Sequence, residues 1–477
     1  MSLPESGAVI GVCSALGDTA PMGHRLQRRG AFSLLATAVI LGSCTARDGW
    51  HDSLERLLLA QPERFATVMQ DPEGYRVQVI YTQIDRDQHN VPSFRTFRYR
   101  VNPREYFYPA STVKLPTALL ALEKINRLDI DGLSRDTLML TGAPRDAQSM
   151  LDSDPGPPVG MANVGHYVRS ILLVSDNDAF NRLYEFLGQK PLTETLHARG
   201  FTGTRIMHRL EVSLSVDENR LTNPVTFVSG DKVLYRQGAQ FSDTVYTAAD
   251  PIMLGRAEVI DGRSYARPKD FAEKNAYPLE EQHDVLKTLI FPESAPPEQR
   301  FALTDDDYRF VYRNMSMYAR ESGIAEYSDP AAYPDSYVKF LMYGGEASHI
   351  PSNIRIFNKV GDAYGFLTDV AYIVDFQNRV EFILAATVYT NANGTFNDDT
   401  YEYEEIGLPF LRDLGQAIYE VELSRVREHL PNLDRFRFSE QGAHRKQEAE
   451  RGQWHTKYRA DDGERDRHTR NHQGNAE

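Results

Sequence analysis

Apolar residues recur at helical spacing near both ends of the chain and through its middle, and at strand spacing in two widely separated places. Leu54, Leu57, Leu58, Leu59, Phe65 and Val68 predict an amphipathic helix from Asp48 to about Met69, with Pro62 near its middle. Tyr75 to Ile84 alternates (Val77, Val79, Tyr81) as a strand does, and Ser93 to Val101 reads as its hairpin partner. A helix is expected from Ser111 through Leu119 to Ile125, with Pro116 deleting one backbone hydrogen bond near its start. From Asn126 to Ser352 helical patterns dominate, as in Asn163 to Ser175, Asp178 to Leu187 and Pro191 to Arg199. Two late apolar runs, Gly365 to Phe376 and Val380 to Tyr389, read as buried neighbouring strands turned by Gln377-Asn378, and Glu404 to Leu430 as a closing amphipathic helix. Strands at both ends with helices between them predict an α/β (α+β) fold: an antiparallel sheet assembled from both chain ends, flanked by helices, with an inserted helical subdomain.

The two termini stand apart from this pattern. After Met22, the expected true start, come Arg25, Arg28 and Arg29, then an apolar run from Ala31 to Gly42. That run is shorter than the roughly 20 residues a membrane span needs, and its flanks read as a signal region over residues 1–43. Leu41-Gly42-Ser43-Cys44 resembles the lipobox of bacterial lipoproteins, which implies lipidation at Cys44, a tether over 44–50 and an exported protein held in the cell envelope, facing the periplasm. A plain signal peptide with an incidental cysteine is the alternative. Beyond about Gln441 apolar residues nearly vanish, and the charged tail 441–477, its histidines lacking ligand spacing, is expected to be disordered.

Composition narrows the partners. The net charge of -14 over 477 residues argues against nucleic acid, since nothing concentrates enough Lys and Arg to displace counterions from phosphates. The only cysteines, Cys13 and Cys44, lie near the N-terminus, so the body of the protein has neither a disulfide framework nor a thiolate metal site.

Three short motifs occur in order: Ser111-Thr112-Val113-Lys114, Ser175-Asp176-Asn177 and Lys359-Val360-Gly361. A serine hydroxyl is a poor nucleophile until a base takes its proton, and on a helix the residue three positions on shares its face. Ser111 and Lys114 have that spacing, and a helix start at Ser111 favours negative charge developing there. A lysine base must be neutral near pH 7, which burial and a second cation arrange; Lys359 is the candidate cation. Ser175-Asp176-Asn177 also suits a helix N-cap.

The three motifs resemble the S-x-x-K, S-D-N and K-T-G set of class A β-lactamases and penicillin-binding proteins. The similarity covers most of residues 50 to 430. It extends to Tyr364-Gly365 and Asp369-Val370-Ala371-Tyr372-Ile373, like the strand-turn-strand after K-T-G, and to Val168, Ile171, Leu172 and Leu173, like the helix leading into S-D-N. Arg209-Leu210-Glu211 matches the Ω-loop pattern, making Glu211 the candidate base for the deacylating water, with Glu218 its nearby rival; Thr222-Asn223-Pro224 resembles the exit into the next helix. The resemblance further implies that Ser175 shuttles a proton to the leaving nitrogen, that Asn177 binds the substrate's amide side chain, and that the N–H groups of Ser111 and Asp362 form the oxyanion hole. Val360, Gly361 and Asp362 complete the substrate-binding residues.

Three positions depart from the family. Val360 replaces the threonine that helps hold a substrate carboxylate, and a lost hydrogen bond to a charged group costs about 1.5 to 3 kcal/mol. Asp362 brings a carboxylate to the same pocket, and Ser215 stands where an asparagine usually steadies the water. The segment 228–352 is longer than in compact members and is expected to add a lobe beside the cleft.

The leading reading is a serine hydrolase forming an acyl-enzyme on a lactam or amide carbonyl, with β-lactam hydrolysis first, and with no metal or organic cofactor. A cell-wall peptide or another amide or ester is the alternative substrate on the same fold. A lipoprotein scaffold with a relic site is the non-enzymatic alternative.

Overall fold

The computed structural model describes residues 53–143, 162–347 and 349–438. The proposed signal region, Cys44, the tether and the charged tail lie outside the described residues.

The first predicted hairpin forms as β1 (Gln78–Arg86) and β2 (Pro92–Tyr99). The late strands are β3 (Ile354–Ala363), β4 (Phe366–Asp375) and β5 (Val380–Tyr389). They make one antiparallel sheet in the order β3-β4-β5-β1-β2. The last strand lies against the first, with Gln78 opposite Thr387, so the sheet is built from both ends of the chain.

Both faces of this sheet are covered, which is why β4 and β5 read as continuous apolar runs rather than as alternating strands. Along β5, Ile383 and Ala385 face one core while Phe382, Leu384, Ala386 and Val388 face the other. The first core takes in helices α3 (Lys114–Leu128), α4 (Val164–Val174), α5 (Asn177–Leu187), α6 (Leu279–Ile290) and α7 (Asp305–Ser316), through Leu119, Ile171, Phe180, Leu286 and Val311. The second is closed by α1 (53–59), α2 (Pro62–Met69) and α8 (Leu408–Ser424), through Leu58, Phe65, Leu411 and Ile418. Each such side chain contributes about 1.5 to 3 kcal/mol by leaving water, which holds the helices to the sheet.

The structure differs from the sequence pattern in four places. The first helix is two, because Pro62 has no N–H to continue a helix and starts the second one instead. Thr222-Asn223-Pro224 leads into a strand, Val225–Ser229, which pairs with Leu138–Thr141 and Lys232–Gln237, so short strands join the helices between β2 and β3. The segment 228–352 is not one added lobe: α6 and α7 lie within it, yet their Val285, Leu289, Val311 and Met315 belong to the main core. Finally, the closing helix begins at Leu408 after a π-turn, Tyr403–Gly407, and ends at Ser424.

The acidic run Asp305 to Asp307 is the first turn of α7, capped by Thr304, where carboxylates meet the positive end of the helix dipole. Asp306 and Asp307 also pair with Arg135 at 2.6 and 2.9 Å. Among the described residues no cluster of three or more His, Cys, Asp or Glu is arranged to hold a metal, and no helix is long and apolar enough to cross a membrane.

Candidate active site

Ser111 sits in a 3-10 turn, Ala110–Val113, that runs directly into α3. Thr112 anchors the turn, its hydroxyl donating to the Pro109 carbonyl at 2.7 Å. Ala110 has φ 45°, a left-handed conformation that costs an L-residue roughly 1 to 2 kcal/mol. The strain lies immediately before the half-buried Ser111, as it often does at functional turns. Pro116 falls in the first turn of α3, where an N–H has no partner within the α-helix, so it is accommodated there.

Lys114 opens α3, its backbone N–H donating to the Ser111 carbonyl. The side chain is fully buried. Its ammonium donates to Asn177 Oδ1 at 2.6 Å, to Ser175 Oγ at 3.3 Å and to the Ser175 carbonyl. Burial, followed by the charge of Lys359, pushes its pKa well below the usual lysine range. Ser175 and Asn177 are placed for this by a tight helix-to-helix turn. Ser175 caps the end of α4 in a left-handed conformation (φ 61°), and Asp176 caps α5 by accepting from the Ala179 N–H at 2.8 Å. The capping reading of the motif therefore holds for Asp176, while its two neighbours reach Lys114.

Lys359 approaches from the other side, on β3. Its Nζ donates to Ser175 Oγ at 2.8 Å and to the Val360 carbonyl at 2.9 Å. Burial lowers its pKa to about 7, against the raising influence of Asp362 and Asp369. A third buried lysine lies nearby. Lys339 donates to Asn358 Oδ1 at 2.7 Å, Asn358 donates to Asp369 Oδ1 at 2.8 Å, and the Leu341 N–H donates to Asp369 Oδ2 at 2.9 Å. Burial lowers Lys339 to about 7 and raises Asp369 to about 6.

Gly361 lets β3 touch the serine turn. A Cβ at this position would lie 2.5 Å from the Pro109 carbonyl oxygen and 3.0 Å from the Ser111 nitrogen, so only glycine permits the approach. Asp362 follows with its side chain exposed at the tip. The surrounding walls still strip it of hydration, which raises its carboxyl above the usual range, against the opposing pull of Lys359 and Lys114.

Glu211 lies in the loop between Arg209 and Asn223. It is exposed, in a left-handed conformation (φ 53°), within electrostatic reach of Lys114 and Asp362. The base of this loop is closed by a buried ion pair: Arg209 Nε donates to Glu185 Oε1 at 2.7 Å, and the Asn223 N–H donates to Glu185 Oε2. Asn181 brackets Leu210, accepting from its N–H at 2.9 Å and donating to its carbonyl at 3.0 Å. Asn219 accepts from the Arg209 N–H at 2.9 Å. Four side chains thus hold the backbone on the approach to Glu211.

Residues 63–250 match the Beta-lactamase enzyme family, Beta-lactamase2. The match takes in Ser111, Lys114, Ser175, Asn177 and Glu211, and it supports a likeness to the β-lactamase/transpeptidase-like superfamily. No curated protein matches the chain. Among solved structures the chain is similar to a β-lactamase from Sphaerobacter thermophilus DSM 20745, at 15% identity over 77% of this chain and 97% of that one, with a TM-score of 0.41. It is also similar to PBP-A (13% identity, 77% and 96% covered, TM-score 0.43) and to a β-lactamase from Streptomyces albus G (16%, 77% and 98%, 0.41).

One expected role changes. Val360, expected at the substrate, is buried in the second core with Leu341, Leu367 and Val388, so its side chain offers a substrate nothing. Ser215, which stands where the family usually has a water-steadying asparagine, caps a short helix, Val216–Arg220, in a reciprocal box with Glu218. Its hydroxyl donates to Glu218 Oε2 at 2.7 Å, which commits that rival carboxylate as well. Glu185, Asn181, Lys339 and Asn358 escaped sequence reasoning. A signal existed for two of them: Asn177, Asn181 and Glu185 recur every four residues on α5, a polar stripe beside the buried Ala179, Phe180, Leu183 and Phe186.

Proposed function

We propose that this domain is a serine hydrolase acting through an acyl-enzyme on a lactam or amide carbonyl. The observation that carries the reading is the convergence of Lys114, Ser175, Asn177 and Lys359, from three elements of the fold, at the start of the helix that follows the Ser111 turn. Ser111 Oγ attacks the carbonyl carbon and gives its proton to Lys114, which burial and Lys359 keep neutral enough to accept it. The oxyanion is held by the N–H groups of Ser111 and Asp362, each typically worth roughly 3 kcal/mol in the transition state. The proton passes through Ser175 Oγ to the leaving nitrogen. Water, deprotonated by Glu211, then attacks the ester and frees Ser111. No step calls for a metal or organic cofactor.

β-Lactams are the first substrate class to test. A cell-wall peptide or another amide is the second, favoured by Val360 and Asp362, which leave a substrate carboxylate without a hydroxyl partner and beside a negative charge. The anchor at Cys44 and a place in the cell envelope belong to the same proposal and rest on sequence alone. Hydrolysis of penicillins, cephalosporins and cell-wall peptides by the native protein, lost in Ser111→Ala, supports the reading. No turnover or acylation of any of them by folded protein overturns it.

A further inference from the structure

The charges of the candidate site are sorted by depth. Lys114 and Lys359 are buried, and their ammonium groups are spent on Ser175, Asn177 and the Val360 carbonyl. Glu211 and Asp362 are exposed. The lysines are therefore withdrawn from the opening while the carboxylates stand at it, and an arriving molecule meets the carboxylates first.

Asp362 also adjoins the serine turn through its neighbour in the chain. It directly follows Gly361, whose backbone lies against the Ser111 nitrogen. Two tyrosines are within electrostatic reach of its carboxylate: Tyr337, itself 42% exposed, and Tyr403, whose hydroxyl accepts from the Gly365 N–H at 2.8 Å in the turn after β3. Both come from segments outside the three motifs, and Tyr403 begins the π-turn that leads into α8. An exposed carboxylate at this place favours a cation through the ion pair. A substrate carboxylate meets repulsion there, and the neighbouring Val360 side chain is turned into the core.

We propose that Asp362 is a specificity determinant of this site, and that it selects substrates bearing a positive charge, a primary ammonium or a guanidinium, close to the scissile carbonyl. The placing of that charge near a scissile carbonyl rests on the hydrolase reading above; the preference for a cation does not.

Binding by the Ser111→Ala protein separates the two. Acetyl-lysinamide, acetyl-norleucinamide and acetyl-2-aminoadipamide have side chains of similar length and differ in charge, and their affinities are read by NMR titration. The expected order is ammonium, neutral, carboxylate, with the ammonium ligand favoured about five- to tenfold over the neutral one at low salt. The preference shrinks as salt rises. It disappears in Ser111→Ala/Asp362→Asn and reverses toward the carboxylate ligand in Ser111→Ala/Asp362→Lys. Equal binding of all three ligands, a preference for the carboxylate ligand, no binding of any of them, or an ammonium preference that survives Asp362→Asn overturns the proposal. Acylation of Ser111 in the native protein, measured separately, decides the hydrolase reading whichever way the titration falls.

Discussion

The ammonium of Lys359 donates to the hydroxyl of Ser175 across 2.8 Å, between residues 184 apart in the chain. The same hydroxyl receives Lys114 at 3.3 Å. Ser175 thus sits between two buried lysines, the geometry that a hydroxyl needs to pass a proton from one side of the cleft to the other. The left-handed turn at Ser175, the cap at Asp176 and the edge strand β3 all act together to produce it.

Glu211→Gln should separate the two halves of the reaction. Deacylation loses its base and slows by about 10²- to 10⁴-fold, while formation of the acyl-enzyme persists. Stopped-flow and burst kinetics with a chromogenic cephalosporin measure both. Equal deacylation rates in native and variant protein remove Glu211 from the mechanism.

Gly361→Ala should slow acylation far more than it destabilises the fold. The added methyl meets backbone at Pro109 and Ser111, which cannot swing aside as a side chain does, so the serine turn and the proposed oxyanion donors shift apart. A displacement near 1 Å costs about 10²-fold in rate, against about 1 to 3 kcal/mol of overpacking in stability. Single-turnover rates and urea unfolding report the two quantities. An unchanged acylation rate contradicts the placement of Gly361.

Much of the fold is legible in the sequence because both kinds of apolar spacing are strong. The β1–β2 hairpin, β4, β5, α4 and α5 follow from pattern alone. The limits are physical. Pro62 looks tolerable inside one long periodic run, yet its missing N–H makes it a boundary. Helices α6 and α7 lie in a stretch rich in Tyr and Asp, and nothing local says that Leu286 and Val311 reach the same core as Ile80. In the site, Ser111, Lys114, Ser175, Asn177 and Lys359 are visible because motif order brings together what sequence separates. Lys339 and Glu185 are invisible, because their partners Asn358 and Arg209 are set by packing between distant segments.

Glu185→Gln should cost about 3 to 5 kcal/mol, because it leaves the buried Arg209 guanidinium without its counter-charge. Asp217→Asn, which removes the exposed partner of Arg220, should cost less than about 1 kcal/mol. Chemical denaturation of both variants checks the contrast. The first variant should also deacylate slowly, since the loop bearing Glu211 loses its anchor. Similar stability losses in the two variants refute the assignment of Arg209–Glu185 as the base of the loop.

Acid should destabilise the domain partly through His208. Burial lowers its pKa to about 4, while the ring lies parallel to that of Tyr108 and its Nδ1–H donates to the Arg209 carbonyl at 2.6 Å. Between about pH 6.5 and pH 4 the unfolded chain binds a proton here that the folded chain refuses. The stability from this group is therefore complete above about pH 6.5 and is lost as pH falls toward 4, by roughly 1 to 3 kcal/mol. His208→Phe should flatten the difference between pH 7 and pH 4.5 in urea unfolding. A variant with the same pH slope as the native protein shows that His208 titrates normally.

Intact-protein and peptide mass spectrometry of Glu211→Gln after exposure to a penicillin tests the nucleophile directly. The expected result is one long-lived adduct of the full mass of the drug, mapped to the peptide containing Ser111 and absent when Ser111→Ala is added. An adduct that persists without Ser111, or no adduct with penicillins, cephalosporins or cell-wall peptides on folded protein, contradicts the account.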